Sequence, residues 1–175
     1  LLKADGEQLF PEWMDLKEWP HLQKGMASAP FDNEGVATRN RTLVENGVLR
    51  GYLLGSYSAR KLGLQTTGSP GGLHNLVVTP DQTISPEDML KQMGTGLLIG
   101  ELMGQGVNGV TGDYSRGAAG IWVENGELTY PVNECTIAGS LPDMLRAMVP
   151  ANDARTHLSR VVPSLLVSGM TLAGS

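Results

Sequence analysis

Four consecutive residues combine side chains able to bind or transform a polar substrate: Asp113, Tyr114, Ser115 and Arg116. A guanidinium binds a carboxylate through two parallel hydrogen bonds, so Arg116 is a candidate to hold an acidic group of a substrate. Asp113 and Arg116 could instead form an ion pair that closes a turn, and we favour this structural role. Ser115 has no histidine or lysine nearby in the sequence that would activate it as a nucleophile.

The histidines and the cysteine do not show the spacing of a metal site. His21, His74 and His157 stand far apart without an H-E-x-x-H pattern, and Cys135 has no second ligand nearby. We therefore predict no metal site here. A glycine turn before His74 could expose its ring, but we favour a ring whose nitrogens bond to nearby backbone groups. The candidate substrate-binding residues are His74, Asn75, Asp113 and Arg116, and no catalytic residue is identified.

The run from Gly104 to Gly109 matches the dinucleotide pattern G-x-G-x-x-G. That fingerprint works when a strand precedes it and a helix opens at it, so that the N–H groups of the helix meet a pyrophosphate. The residues that follow, VTGDYSRGAAG, contain too many glycines for a helix. We predict a bent, buried strand from residue 96 onward rather than a nucleotide site.

Composition and charge exclude several classes of function. The chain has 175 residues, a net charge of −5 and no cluster of Lys or Arg. Nucleic-acid binding is therefore not favoured. The single Cys135 fits a reducing compartment. The most apolar stretch, Gly96–Met103, is too short to span a membrane and contains Glu101. We predict a cytoplasmic protein that binds neither nucleic acid nor membrane.

Two Asn-Gly dipeptides predict β-hairpins. They occur at 46–47 and 125–126, each between apolar runs, and this dipeptide readily adopts the positive φ angles of a tight turn. The first hairpin spans Leu43–Leu54. The second joins strands at Ala118–Val123 and Leu128–Val132. Both turns follow a glutamate, which hints at a repeated unit.

Three serines stand where helix N-caps are expected, namely Ser56, Ser85 and Ser140. The middle signal is the clearest, because a proline follows at the first helical position and Gly94 ends the helix. The third helix is expected to turn its apolar side chains inward: Met144, Leu145 and Met148. The tail from residue 163 predicts a strand pair around Ser168 and Gly169.

These elements predict an α+β fold, a hairpin-rich and mostly antiparallel β domain with two or three short helices. We expect residues 1–40 to form an irregular segment that wraps over the core and continues from a region upstream of Leu1. The aromatic side chains of Trp13, Trp19 and Phe31 would anchor it. Residues 41–175 would form the C-terminal domain.

Five stretches resemble the TldD/PmbA family of cytoplasmic peptidases. They are SARKLGLQTTG (58–68), GGLHN (71–75), ELMGQGVNGVTGDYSRGAAG (101–120), WVENGE (122–127) and TIAGSL (136–141). The resemblance covers essentially the whole chain, which would be the C-terminal part of a much longer protein. It implies that the 41–175 region is the C-terminal domain of a member of this family.

The resemblance also indicates which half of the family's pair the chain represents. In the metal-bearing half, a helical H-E-x-x-x-H motif and a later cysteine hold zinc. The helical motif would lie upstream of Leu1, and the cysteine would align within Ser159–Ser164, where this chain has Val162. Cys135 stands where relatives usually have an apolar residue. The resemblance thus implies the subunit without metal, with no cofactor of its own and with zinc in the partner subunit.

The function implied is that of a subunit in a cytosolic TldD/PmbA-type metallopeptidase complex. Such a complex processes or degrades unfolded peptides, including microcin leader trimming and antitoxin degradation, and its peptide could bind as an added strand. The partner would be a TldD-like homologous subunit or a second copy in a dimer. An older label, modulator of DNA gyrase, is not favoured as direct DNA binding by the charge. The alternatives are a non-catalytic peptide-binding scaffold and a self-sufficient metallopeptidase with its ligands upstream.

Overall fold

The computed structural model describes residues 3–80 and 83–174. Its strands are β1 (Met14–Glu18), β2 (Arg41–Glu45), β3 (Val48–Leu49), β4 (Leu76–Pro80), β5 (Gly96–Met103), β6 (Asp113–Glu124), β7 (Glu127–Ser140), β8 (Met148–Pro150), β9 (Arg160–Val161), β10 (Leu165–Val167) and β11 (Thr171–Ala173). Its helices are α1 (Ser56–Leu62), α2 (Pro86–Met93) and α3 (Leu141–Arg146). Most of the strand pairs are antiparallel, so the predicted α+β class is confirmed.

The chain forms two compact units. Unit 1 contains residues 1–82 and 154–163, and unit 2 contains residues 83–153 and 164–175. The chain therefore leaves unit 1, builds most of unit 2, and returns to unit 1 for ten residues before it completes unit 2. The division of the chain at residue 40 stays a prediction.

Unit 1 contains a five-stranded sheet with the order β3-β2-β1-β4-β9. The central strand β1 pairs antiparallel with both neighbours, so that Leu16 lies opposite Val44 on one side and Val78 on the other. β1 lies within the segment that we expected to be irregular. Its partners come from later in the chain, and for this reason the local sequence did not reveal it. Trp13 is half-buried, whereas Trp19 and Phe31 are 37% and 61% exposed.

The hairpin predicted at residues 46–47 is confirmed, because β2 and β3 pair across it. Asn46 and Gly47 have φ angles of 48° and 75°. A side chain at position 47 would bring its Cβ atom within 2.4 Å of the Phe10 carbonyl oxygen, so glycine is required there. The Asp15 carboxylate accepts a hydrogen bond of 2.8 Å from the Asn46 backbone N–H and fixes the turn to β1.

Unit 2 contains a four-stranded antiparallel sheet with the order β11-β7-β6-β5, and β8 pairs with β10. The second predicted hairpin is confirmed, with positive φ at Asn125 and Gly126, although its strands are longer than predicted. The predicted tail hairpin is wrong. β10 pairs with β8 and β11 with β7, because the turn at Gly169 carries the chain from one sheet into the other.

Helix α2 agrees with its prediction. The Ser85 hydroxyl accepts a hydrogen bond from the Asp88 backbone N–H at 3.0 Å, Pro86 begins the helix and Gly94 caps its end. In α1, by contrast, Ser56 is the first helical residue rather than the cap. The Glu34 carboxylate accepts the Ser56 backbone N–H at 2.8 Å, so a distant side chain caps this helix.

Helix α3 begins as expected but differs in its packing. The Ser140 side chain makes no capping hydrogen bond, and α3 has no fully buried residue. Met148, which we expected on the inner face of this helix, is buried in strand β8 instead. The helix ends two residues earlier, at Arg146. None of the helices in the described ranges has the length and apolar character that a membrane crossing requires.

The core of unit 2 lies on one face of the four-stranded sheet. Ala118, Cys135 and Ile137 are buried there, on the paired strands β6 and β7. Four partly buried side chains pack against them: Leu97, Tyr114, Val132 and Met170. The predicted bend of the strand at residue 96 onward is present as a bulge between Ile99 and Glu101. Its predicted burial is wrong, because β5 is the edge strand and is mostly exposed.

Candidate functional site

The four predicted substrate-binding residues are divided between the two units. His74 and Asn75 belong to unit 1, and Asp113 and Arg116 belong to unit 2. Whether any of the four contacts a substrate stays a prediction.

His74 takes part in a buried ion cluster with Glu18 and Arg41. The Glu18 side chain is 2% exposed, and its carboxylate accepts a hydrogen bond of 2.6 Å from Arg41 Nε. Its other oxygen accepts the His74 backbone N–H at 2.8 Å and lies 3.2 Å from His74 Nδ1. Strand pairing produces this geometry, because Glu18 lies directly opposite Arg41 in the β1–β2 register.

The ion cluster is satisfied from within the protein. Arg41 also donates to the Ser69 hydroxyl, which lies 2.8 Å from the Thr67 hydroxyl. A buried carboxylate is tolerated only when such partners replace its hydration. The His74 ring is therefore held by a carboxylate, not by backbone groups as we expected, and the cluster joins the glycine loop before His74 to the sheet.

The Asn75 side chain holds a neighbouring loop. Its Nδ2 donates to the Trp19 carbonyl at 3.0 Å and to the Ser28 hydroxyl at 2.7 Å. Its Oδ1 accepts the Ala27 backbone N–H at 3.0 Å. Asn75 is buried and has a φ angle of 46°, a left-handed conformation that asparagine tolerates better than most residues. Its polar atoms are thus used to position residues 19–28.

Asp113 begins strand β6 and is exposed. Its carboxylate accepts a hydrogen bond of 2.6 Å from the Thr111 hydroxyl, which stabilises the loop before the strand. Asp113 and Ser115 line an open groove of about 560 Å³ together with residues 105–109. The groove is shallow and the hydroxyl of Ser115 has no base beside it in the sequence, so it does not indicate nucleophilic catalysis.

Arg116 points away from Asp113. The two residues are three apart in one strand, and alternate strand positions face opposite sides of the sheet. No ion pair joins them in the described part of the chain, so the predicted turn clamp is wrong. Instead, Arg116 donates to the Leu102 carbonyl at 3.3 Å, and its Nε is buried without a hydrogen-bond partner.

The glycine pattern from residue 104 to 109 forms the connection between β5 and β6. Ser115 donates its backbone N–H to the Gly106 carbonyl at 2.7 Å, so the two backbones meet closely. A Cβ atom at Gly106 would lie 1.5 Å from the Ser115 carbonyl oxygen. The next element is strand β6 rather than a helix. Glycine is needed at 106 for a close strand approach, and no helix begins at this pattern.

Sequence reasoning missed the open edge of strand β5. Among the described residues, Gly96–Met103 pairs with β6 alone, so backbone N–H and C=O groups along its other side have no strand partner. We call this side the β5 edge. Its large exposed side chains are Leu98, Ile99, Leu102 and Met103. The run GLLIGELM predicted a strand, but its apolar and glycine residues indicated a buried strand and not an open edge.

No group of three His, Cys, Asp or Glu side chains is arranged to hold a metal ion within residues 3–80 and 83–174. Cys135 is buried in the core, with its Sγ atom 3.1 Å from the Ala118 carbonyl. Val162, in the position where the resemblance would place a zinc-binding cysteine, is exposed. The described residues therefore provide no set of ligands that fits a zinc ion.

The chain resembles known proteins along its whole length. The family model described as "PmbA/TldA metallopeptidase C-terminal domain" matches residues 1–174. Metalloprotease PmbA of Escherichia coli O157:H7 is 55% identical over 175 residues, which cover 99% of this chain and 39% of the relative. The PmbA homologue of Haemophilus influenzae is 52% identical, covering 100% of this chain and 39% of the relative.

A solved structure agrees with this match. A Bacteroides thetaiotaomicron protein described as a candidate modulator of DNA gyrase superposes with a TM-score of 0.87 and 33% identity. The superposition covers 100% of this chain and 40% of that protein. The chain thus spans about two fifths of the length of these relatives. It belongs to the PmbA/TldD metallopeptidase family, in which it corresponds to the C-terminal domain.

Proposed function

We propose that this chain is the C-terminal part of a subunit in a cytosolic TldD/PmbA-type metallopeptidase complex, and that it binds unfolded peptide without contributing a zinc ligand. The observation that carries the proposal is the β5 edge, eight residues long and mostly exposed. Because the chain spans 39% of its PmbA relative, the activity of the whole protein is part of the proposal.

The β5 edge suits an extended peptide bound as an added strand. Main-chain hydrogen bonds would hold the peptide, and this mode of binding depends little on sequence, as a peptidase for unfolded chains requires. Exposed Leu98 and Ile99 on successive positions would contact peptide side chains on both faces of the extended sheet. The bulge between Ile99 and Glu101 would divide the ladder into two short runs.

Hydrolysis would require a second component. Cleavage in a metallopeptidase depends on a water molecule activated by the metal, and the described residues hold no cluster of metal ligands. We assign the zinc to a partner, either a TldD-like homologous subunit or a second copy whose ligands lie outside this chain. The role of the present residues is to bind and orient the peptide. The activities we propose are trimming of a microcin leader and degradation of an antitoxin.

A non-catalytic peptide-binding scaffold is the second candidate, and it would use the same β5 edge. A self-sufficient metallopeptidase, with all of its ligands upstream, is the third. The negative net charge and the absence of a helix suited to a membrane in the described ranges give no support to a nucleic-acid or membrane partner.

One experiment separates the three candidates. The full-length protein is assayed for zinc content and for cleavage of an unfolded peptide, alone and mixed with a zinc-bearing homologue. We expect cleavage in the mixture only. Cleavage and stoichiometric zinc in the isolated protein would establish the self-sufficient peptidase. Binding without cleavage in the mixture would establish the scaffold.

A further inference from the structure

Unit 1 contains a groove that is lined by residues of neither the ion cluster nor the β5 edge. It has a volume of about 320 Å³ and lies between residues 22–26 and residues 156–158, with Asn75 at its base. All of its lining residues belong to unit 1. We call it the unit 1 groove.

Both walls of the unit 1 groove are anchored at the start of strand β4. On one side, the Asn75 side chain binds the loop that contains residues 22–26, through Trp19 and Ala27. On the other side, the Leu76 backbone N–H donates to the Ser159 carbonyl at 2.9 Å. Gly25 fits closely against Asn75, since a Cβ atom there would lie 2.6 Å from Asn75 Nδ2. The groove is thus built into the fold.

The rim of the groove carries cationic and hydrogen-bonding side chains. Lys24 and His157 line it, and no Asp or Glu is among its lining residues, although the chain as a whole has a net charge of −5. Lys24 forms no ion pair within the described residues. It has a φ angle of 59°, an uncommon conformation for a residue other than glycine, and hydrogen bonds of the surrounding turn hold it there.

The lining also includes the polar residues Gln23 and Thr156 and three apolar side chains that are open to solvent. Met26 is 74% exposed, and Leu22 and Leu158 are also exposed. A cationic rim beside an apolar surface complements an anion that is attached to an apolar group. The carboxyl end of a peptide whose last side chain is apolar has this chemistry.

We propose that the unit 1 groove binds the C-terminal end of a peptide. The α-carboxylate would pair with the Lys24 ammonium, with the His157 ring as a further hydrogen-bond donor, and the last side chain would rest on Met26 and Leu158. The choice of a peptide as the occupant rests on the proposed function, whereas the need for a carboxylate rests on the charges of the groove alone.

The test compares a tripeptide acid with its amide. The full chain is titrated with N-acetyl-Ala-Ala-Leu and with the corresponding C-terminal amide by calorimetry. We expect the acid to bind roughly tenfold more tightly, because an amide offers no charge to Lys24. Equal binding of the two peptides would overturn the proposal. Decanoate binding as tightly as the peptide acid would also overturn it, since the groove would then take a fatty acid.

Substitutions test whether the peptide carboxylate binds at Lys24. Lys24→Asn removes the charge and keeps a residue that tolerates a left-handed conformation, and we expect about fivefold weaker binding of the acid with unchanged binding of the amide. Lys61→Asn, which removes an exposed lysine of α1 outside the groove, is the matched control and should change nothing. Unchanged binding in a folded Lys24→Asn variant would contradict the proposal. The acid–amide comparison on the unmodified chain decides the question if that variant does not fold.

A further variant distinguishes failure here from failure of the proposed function. Leu98→Lys on the β5 edge should weaken binding of a long unfolded peptide and leave the tripeptide acid unaffected. Loss of tripeptide binding in Leu98→Lys would place the carboxylate site at the β5 edge and overturn the assignment to the unit 1 groove.

Discussion

The five-stranded sheet of unit 1 and the four-stranded sheet of unit 2 end in different ways. In unit 1 the outer strands β3 and β9 are two residues long, and backbone hydrogen bonds from Gly6 and to Glu7 cover the outer side of β3. In unit 2 the sheet ends in β5, which is eight residues long and has six exposed positions. Short or covered edges prevent further strand pairing, whereas a long exposed edge invites it.

The buried interiors of the two units also differ. Unit 1 buries a charged cluster and uses its polar side chains to fix its own loops, as Glu18 and Asn75 show. The buried core of unit 2 consists of small and apolar side chains such as Ala118 and Ile137. In unit 1 conspicuous polar residues thus serve the structure, whereas in unit 2 a backbone edge is left without a strand partner among the described residues.

The largest effect is expected from Glu18→Gln. Arg41 would lose the charge that compensates it in a buried site, and we expect the free energy of unfolding of unit 1 to fall by about 3–5 kcal/mol. Urea denaturation followed by tryptophan fluorescence measures this. A Trp122→Phe background leaves Trp13 and Trp19, both in unit 1, to report the transition.

Glu45→Gln is the matched control for that measurement. Glu45 pairs with Arg50 at 3.1 Å, but both side chains are about half exposed, so the loss should be within about 1 kcal/mol. An equal loss in the two variants would show that the ion cluster is no more important than a surface pair, and the contrast between the units would fail.

The second-largest effect is expected in the connection between β5 and β6. Gly106→Ala places a Cβ atom against the Ser115 carbonyl, and we expect unit 2 to lose about 3 kcal/mol of stability, measured by thermal unfolding. Gly109→Ala belongs to the same glycine pattern but has no atom within 4 Å of the added Cβ, so it should be nearly neutral. Similar losses in both variants would contradict the close strand approach at Gly106.

The smallest effect concerns Asp15 and the first hairpin. The Asn46 N–H and the Lys17 ammonium lower the pKa of the Asp15 carboxyl below its usual value. A lowered pKa in the folded protein means that the stabilisation is complete above the unfolded pKa of about 3.9 and is lost as the pH falls through the folded value. We expect Asp15→Asn to cost about 1 kcal/mol at neutral pH.

The pH profile provides the check on Asp15. Urea denaturation of both proteins should show a difference at pH 7 that shrinks as the pH falls below about 4, where the carboxylate is protonated. A difference that is constant from pH 7 to pH 3 would mean that the charge of Asp15 has no part in holding the turn. Asp88→Asn at the exposed start of α2 is the control and should change the stability little, because solvent screens the interaction of the Asp88 carboxylate with Ser85 and Lys91.

Local signals predicted much of the fold. The dipeptides Asn46-Gly47 and Asn125-Gly126 located both hairpins, and Ser85 with Pro86 located α2, because turn and cap geometry depends on adjacent residues. Strand β1 and the cap of α1 by Glu34 were missed, since their partners lie far away in the sequence.

The candidate site was harder to predict. His74 was identified without its partners Glu18 and Arg41, because only the sheet register brings the three together. Asp113 and Arg116 suggested a turn, yet they extend a strand whose partner β7 decides their environment. No sequence signal indicated the β5 edge, because local sequence does not show whether a strand has a neighbour on each side.

The most direct test of the account is binding of an extended peptide at the β5 edge. The full chain and its Leu98→Lys/Ile99→Lys variant are titrated with a labelled unfolded peptide, because charges on an edge strand oppose strand addition. Leu172→Lys on β11, the opposite edge of the same sheet, is the control. We expect roughly tenfold weaker binding for the β5 variant and unchanged binding for the control. Unchanged binding in the folded β5 variant, or an equal loss in the control, would contradict it.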